Sequence, residues 1–190
     1  TRSKYVGIVD LVGLVLATLA VTPSGALSPG PLTTATIALG TKGGWRAGIK
    51  VAFGHSIVEF SFIMALYLAF EQIHALLEGV VGNLLVVAAT LVITFFALLL
   101  LRDAVRGVSI QETSFKASGN PLLIGVTFTG LNVFFLIWWI SIGFKLINDA
   151  VSLGMIGIIV MYLSHVWMDY AWLTLIACLL YTSPSPRDRG

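Results

Sequence analysis

From Tyr5 to Gly40 the chain carries no lysine, arginine or glutamate and a single acid, Asp10. As one straight helix this run would be roughly 54 Å long at about 1.5 Å per residue, whereas the hydrocarbon core of a bilayer is only about 30 Å thick. It must therefore break, and its prolines say where. Pro23, Pro29 and Pro31 lack a backbone N–H, and each pushes the residue before it out of the helical region. The densest point is Ser28-Pro29-Gly30-Pro31. Non-helical backbone at membrane depth is tolerated only where protein buries it or where it lines a watery cavity. Ser28 before Pro29 reads as a helix start, with a hydroxyl to cap free N–H groups and a proline suited to the first turn. Leu32 to Leu39 is then expected as a half-helix whose positive end points into the protein, an arrangement by which transporters hold an anionic substrate group. Ser28, Pro29, Gly30 and Pro31 are accordingly candidate substrate-binding residues. The plainer reading of the same stretch is a proline kink that lets helices pack.

The rest of the chain is as apolar as this run implies. Hydrophobic residues make up 57% and charged residues 11%, with a mean hydropathy of +0.96, against about 45–50% and about 25% in soluble domains. The sequence is that of an integral membrane protein, and 190 residues leave room for five or six spans and no soluble domain. The net charge of +2 is small and its basic residues fall in loops, so no nucleic-acid partner is expected. A lone cysteine, Cys178, cannot form an internal disulfide or a redox pair. No cofactor is expected.

After the broken first span comes a glycine-rich turn, Thr41 to Gly48. Ala47 to Phe70 is a second span, Glu71 to Gly82 a short acidic connector, and Val80 to Leu101 a third span without charge. Arg102 to Asn120 is a polar central loop. Pro121 to Gly143 forms a fourth span, Lys145 to Ser152 turns the chain back, and Leu153 to about Ala177 is a fifth span. Cationic residues concentrate in the connectors after spans one and three, which places those connectors in the cytoplasm and the N-terminus outside. Arg2 and Lys4 pull mildly the other way.

Spans two and five share a pattern. Gly54-His55-Ser56-Ile57-Val58-Glu59-Phe60 reads against Ser164-His165-Val166-Trp167-Met168-Asp169-Tyr170 as small, histidine, three residues, acid, aromatic. Two halves of three spans follow, and an odd number per half makes the second enter the membrane upside down, the inverted-repeat plan of many secondary transporters. The expected fold class is thus an all-α polytopic membrane protein with five transmembrane helices of a full set of six, a 3+3 inverted repeat with a Pro/Gly-broken first helix.

Residues four apart share a helix face, so His55 with Glu59 and His165 with Asp169 each make one polar patch. A charge at the bilayer centre costs at least about 2.5–3.5 kcal/mol, so such groups face a bundle interior and pair. These four are candidates for binding a substrate ammonium or exchanging a proton, histidine being apt because its unperturbed pKa is about 6.5. A buried structural network that fixes helix packing is the alternative. Asn132, a polar group on an apolar span, reads equally as a substrate contact or as interhelical glue. The tryptophans read as packing or interface anchors.

At Gly25-Ala26-Leu27-Ser28-Pro29-Gly30-Pro31-Leu32-Thr33, followed by Gly44-Trp45-Arg46-Ala47-Gly48, the chain resembles the amino-acid exporter family typified by the lysine exporter, LysE. The resemblance continues through Gly54-His55 with Glu59, the region from Asn132 to Trp139, and His165 with Asp169, and it looks closest to archaeal-type members. It implies a six-span secondary transporter of the cytoplasmic membrane that exports amino acids such as lysine, arginine, threonine or homoserine, as a homodimer among membrane lipid. The family's second half often shows Asn-Pro in span four. Here Val133 follows Asn132, which predicts a smoother fourth helix.

Residues 1–177 are read as the transporter domain, without its sixth helix, and 178–190 as a non-native read-through tail, because Cys178 to Asp188 resembles the translation of a transposase adapter used in preparing sequencing libraries. Export of small zwitterionic or cationic solutes is the expected function. Export of a divalent metal cation is the alternative, since two histidines and two carboxylates make a four-ligand set if spans two and five meet. No enzyme is expected: the His-Glu-x-x-His of intramembrane zinc proteases does not occur, and the broken helix holds no cysteine for thiol chemistry.

Overall fold

The long apolar run stops at Ala26 and starts again at Pro31. Helix α1 (Arg2–Ala26) passes through Pro23 without breaking, and helix α2 (Pro31–Leu68) opens with Pro31 in its first turn. These elements belong to a computed structural model that describes residues 2–77, 79–80 and 119–181, together with positions 83, 84, 87, 90, 91, 94, 95, 98, 101, 102 and 105. The first of three expected interruptions is thus a correction. Pro23 lacks only its own N–H, and the helix has one more turn to run before it ends, with Leu27 N donating to Pro23 O at 3.2 Å.

The helix start also differs from expectation. Gly30, with φ −156° and ψ −178°, holds the cap position, and no side chain caps the end. Ser28 instead donates its hydroxyl back to Gly25 O at 2.8 Å, which closes the end of α1 and leaves the front of α2 uncapped. At 38 residues, α2 is too long to cross a bilayer straight. It kinks at Gly44, whose φ of 53° and ψ of −147° suit glycine alone. The expected eight-residue turn from Thr41 to Gly48 is compressed into this one residue.

After Ala69 a short helix α3 (Phe70–Leu77) occupies the start of the expected connector, with Phe70 stacked on Phe144 at 5.5 Å. The described positions between 80 and 105 are helical and exposed, as a lipid-facing third span requires. The remainder of that span and positions 103, 104 and 106–118 of the central loop lie outside the described residues.

The fourth span is not smooth. Helix α4 (Pro121–Gly130) ends, Leu131 and Asn132 leave the helix, and α5 (Val133–Trp138) begins afresh. Asn132 makes this possible without a proline: its Oδ1 accepts from Phe134 N at 3.0 Å, the bond that an interrupted helix would otherwise lack. The chain then widens into a π-helical turn (Trp139–Gly143) and tightens into α6 (Phe144–Val151). Wide turns of this kind are frequent at functional sites. Here the turn follows Trp138 and opens with Trp139, both buried. The expected turn at Lys145 to Ser152 is mostly the helix α6, since Lys145 and Asp149 pair across one helical turn at 2.8 Å. The reversal comes at Ser152 and Leu153. Helix α7 (Gly154–Tyr181) follows, and of the tail 178–190 residues 178–181 continue it while the rest lies outside the described residues.

Among the described residues the chain is helical without strands. Three segments, Pro31–Leu68, Val133–Val151 and Gly154–Leu179, are long and apolar enough to cross a membrane, and Asp10–Ala26 and Pro121–Gly130 are shorter apolar helices. Packing centres on α2, which lies between α4 and α7. Small residues let the backbones approach, as between membrane helices generally. A Cβ at Gly54 would run into the Leu122 carbonyl of α4, and one at Gly125 into the Val51 carbonyl of α2. One core gathers Ile63, Trp139, Ile147 and Met161, and a second gathers Leu39, Val51, Ala52 and Leu173.

Candidate functional site

His55 and Glu59 stand one turn apart on α2, and His165 and Asp169 one turn apart on α7. Because α2 and α7 pack together, the two patches merge. All four residues are buried, with exposures of 7%, 1%, 2% and 5% respectively. Glu59 Oε1 is the hub: it lies 3.3 Å from His55 Nε2 and 3.2 Å from His165 Nε2, and it accepts from Trp139 Nε1 at 3.2 Å. Asp169 stands 3.5 Å from His165 Nε2 and 3.9 Å from His55 Nε2.

Each histidine is held from behind by a threonine that ends a broken helix. His165 Nδ1 is 3.0 Å from Thr22 Oγ1 near the end of α1, and His55 Nδ1 is 2.9 Å from Thr129 Oγ1 near the end of α4. Thr22 also donates to Thr18 O at 2.7 Å. A hydroxyl has one proton, so towards His165 it can only accept, and His165 Nδ1 must carry a hydrogen. His165 Nε2 then faces Glu59, and that contact is attractive only with a proton on one of the two atoms or a cation between them. The threonine therefore aims the exchangeable nitrogen at the carboxylates. His165 lies against both Trp138 and Trp139, with ring centroids at 5.3 and 5.0 Å.

Every residue singled out in the sequence lines one cavity of about 580 Å³: Ser28, Pro29, Gly30 and Pro31 at the first break, Asn132 at the second, and His55, Glu59, His165 and Asp169 between them. Their local roles differ. Asn132 caps α5, while Gly30 presents the uncapped front of α2. Three buried atoms of the cluster, His55 Nε2, Glu59 Oε2 and Asp169 Oδ2, have no hydrogen-bond partner among the described residues. Ligand atoms of His55, Glu59 and Asp169 all lie within 4.8 Å of one another, which is close enough to converge on one metal ion.

Thr22, Thr129, Trp138 and Trp139 were not legible as site residues. The available signal was position: each threonine stands within a few residues of a helix break, and the tryptophans come within two turns after the second break. His74, by contrast, sits beside Phe70 on α3, and Trp45 and Trp167 are exposed.

One spacing recurs around this cluster. Gly154 and Gly44, both with positive φ, are 154 − 44 = 110 residues apart, and so are His165 and His55 and Asp169 and Glu59. A glycine of positive φ thus precedes each histidine by the same distance. No curated protein and no solved structure matches the chain. The family profile described as LysE type translocator matches residues 23–187, a span that contains both helix breaks and the whole cluster, and the chain belongs to that family.

Proposed function

We propose that this translocator exports amino acids across the cytoplasmic membrane as a multi-pass secondary transporter, with protons as the exchanged ion. One observation carries the reading: the uncapped front of α2 and the His–acid cluster line the same cavity. A zwitterion has a carboxylate for the positive end of a helix and an ammonium for Glu59 or Asp169. Substrate ammonium and histidine protons compete for the same two carboxylates, so binding one releases the other. The common offset of 110 residues and the crossed threonine ties, each from a broken helix to the histidine of the other half, support a 3+3 inverted repeat of six spans. The family also suggests a homodimer.

The test is efflux from proteoliposomes holding the purified protein, with and without an imposed proton gradient. Glu59→Gln and Asp169→Asn each keep shape and remove charge, and each should abolish efflux or its response to the gradient. Glu71→Gln, exposed on α3, should change neither. Normal gradient-driven efflux in both acid variants would reduce the cluster to a structural network.

Convergence of His55, Glu59 and Asp169 within 4.8 Å favours one second reading, export of a divalent cation. Zinc or cobalt efflux that amino acids do not inhibit would select it over the first.

A further inference from the structure

Within the amino-acid reading, on which this inference rests, we infer that the solute is a monoamino acid with an apolar side chain, aliphatic or aromatic, and not a dibasic or hydroxyl-bearing one. The cavity holds few charged groups. Its acids, among the described residues, are Glu59 and Asp169, and these sit together in one cluster with two histidines. One cluster can receive one ammonium. A lysine-like solute brings two, and the second would be buried without a counter-charge, which is far costlier than an unpaired neutral group.

The other polar groups in the wall are mostly engaged. Ser28 donates to Gly25 O, Thr33 donates to Ser28 O at 3.2 Å, Thr129 is bonded to His55, and Asn132 Oδ1 is bonded to Phe134 N. What these groups retain, the Asn132 Nδ2 hydrogens and hydroxyl lone pairs, lies at or near the two helix breaks, the end of the cavity where this reading places the solute's carboxylate, so a side-chain hydroxyl meets mainly apolar wall. The remaining wall is apolar: Leu32 from α2, Phe134 and Ile137 from α5, Trp138, and Leu173 from α7. Trp138 is not a free platform for a cation either. One part of its ring packs over Gly25, where a Cβ would lie 3.0 Å away, the other side meets His165, and its N–H goes to Ser24 at 3.0 Å. At about 580 Å³ the cavity is in the range of ordinary small-molecule sites and has room for an aromatic side chain.

The experiment is counterflow in proteoliposomes preloaded with leucine, phenylalanine, threonine or lysine, with each tested as a labelled external solute. Leucine or phenylalanine should exchange, and threonine and lysine should do so more weakly, lysine by roughly 100-fold or more, as expected for a site that leaves a polar group unpaired. Leu32→Ser should move the leucine-to-threonine ratio towards threonine. Exchange of lysine or threonine as fast as leucine would overturn this inference and leave amino-acid export standing. Exchange of none of the four by protein that unfolds cooperatively would overturn both.

Discussion

Thr22→Val tests the orientation of the cluster at its most determined point. The substitution keeps shape and removes one oxygen, which lies 2.7 Å from Thr18 O and 3.0 Å from His165 Nδ1 and is fully buried. Thr18 O can still take part in the helix ladder, so its loss is minor. His165 Nδ1–H is left without a partner at a residue only 2% exposed. An orphaned buried donor costs about 1–3 kcal/mol in water-soluble proteins, and hydrogen bonds between membrane helices average about 0.6 and reach about 1.7 kcal/mol. Full burial puts this bond near the top of the membrane range, so the variant should lose about 1–2 kcal/mol, a five- to thirty-fold shift in the unfolding equilibrium. Denaturant unfolding in micelles reads this directly. Thr22→Ser, which keeps the hydroxyl, should recover most of the loss. Transport should also weaken in the valine variant, because His165 is then free to place its hydrogen on Nε2 and turn a lone pair to the rear. A valine variant with unchanged unfolding midpoint and unchanged proton response would refute the orientation argument.

Gly54→Ala puts a methyl group against the Leu122 carbonyl and 3.1 Å from Gly125 Cα, so α2 and α4 must separate, and a loss of about 1–3 kcal/mol is expected from the unfolding midpoint. An unshifted midpoint would show that the two helices do not approach as described. Gly44→Ala and Gly154→Ala each force an alanine into positive φ, at 53° and 64°, at a cost of order 1–3 kcal/mol. The same unfolding experiment measures each loss, and an unshifted midpoint in either variant would refute the strain assigned to that glycine.

The break at Ser28 to Pro31 was legible because proline cannot donate and because an apolar run of that length cannot cross straight. The break at Asn132 was not, since it rests on a side chain supplying one hydrogen bond, and asparagine alone does not announce whether it caps a helix or glues two. Pro23 shows the reverse error, a proline that the helix absorbs within its last turn. The four titratable residues were found from spacing, because i and i+4 fix a common face before any tertiary contact is known. Their threonine and tryptophan partners come from other helices, and no local pattern points across that gap.

Whether the cluster only fixes helix packing turns on which of its atoms are satisfied. A network whose sole task is packing does best with every donor and acceptor paired, since a half-satisfied one is worse than an apolar core. Here the rear of the cluster is fully tied, with both Nδ1 atoms on threonines and Glu59 Oε1 on Trp139. The atoms without a hydrogen bond, His55 Nε2, Glu59 Oε2 and Asp169 Oδ2, belong to residues that line the cavity. Trp172 Nε1 is also buried without a partner but does not line the cavity, so one orphan atom marks nothing by itself. Three on one wall, in a pair of carboxylates and a histidine, are a different matter. His55 Nε2 and Asp169 Oδ2 keep ion-pair contacts, at 3.3 Å to Glu59 Oε1 and 3.5 Å to His165 Nε2, but no hydrogen bond, so part of a desolvation cost of about 1–3 kcal/mol per group is left unreturned by packing. A solute ammonium or a proton would return it on arrival, which supports the proposed reading of the cluster as a binding surface.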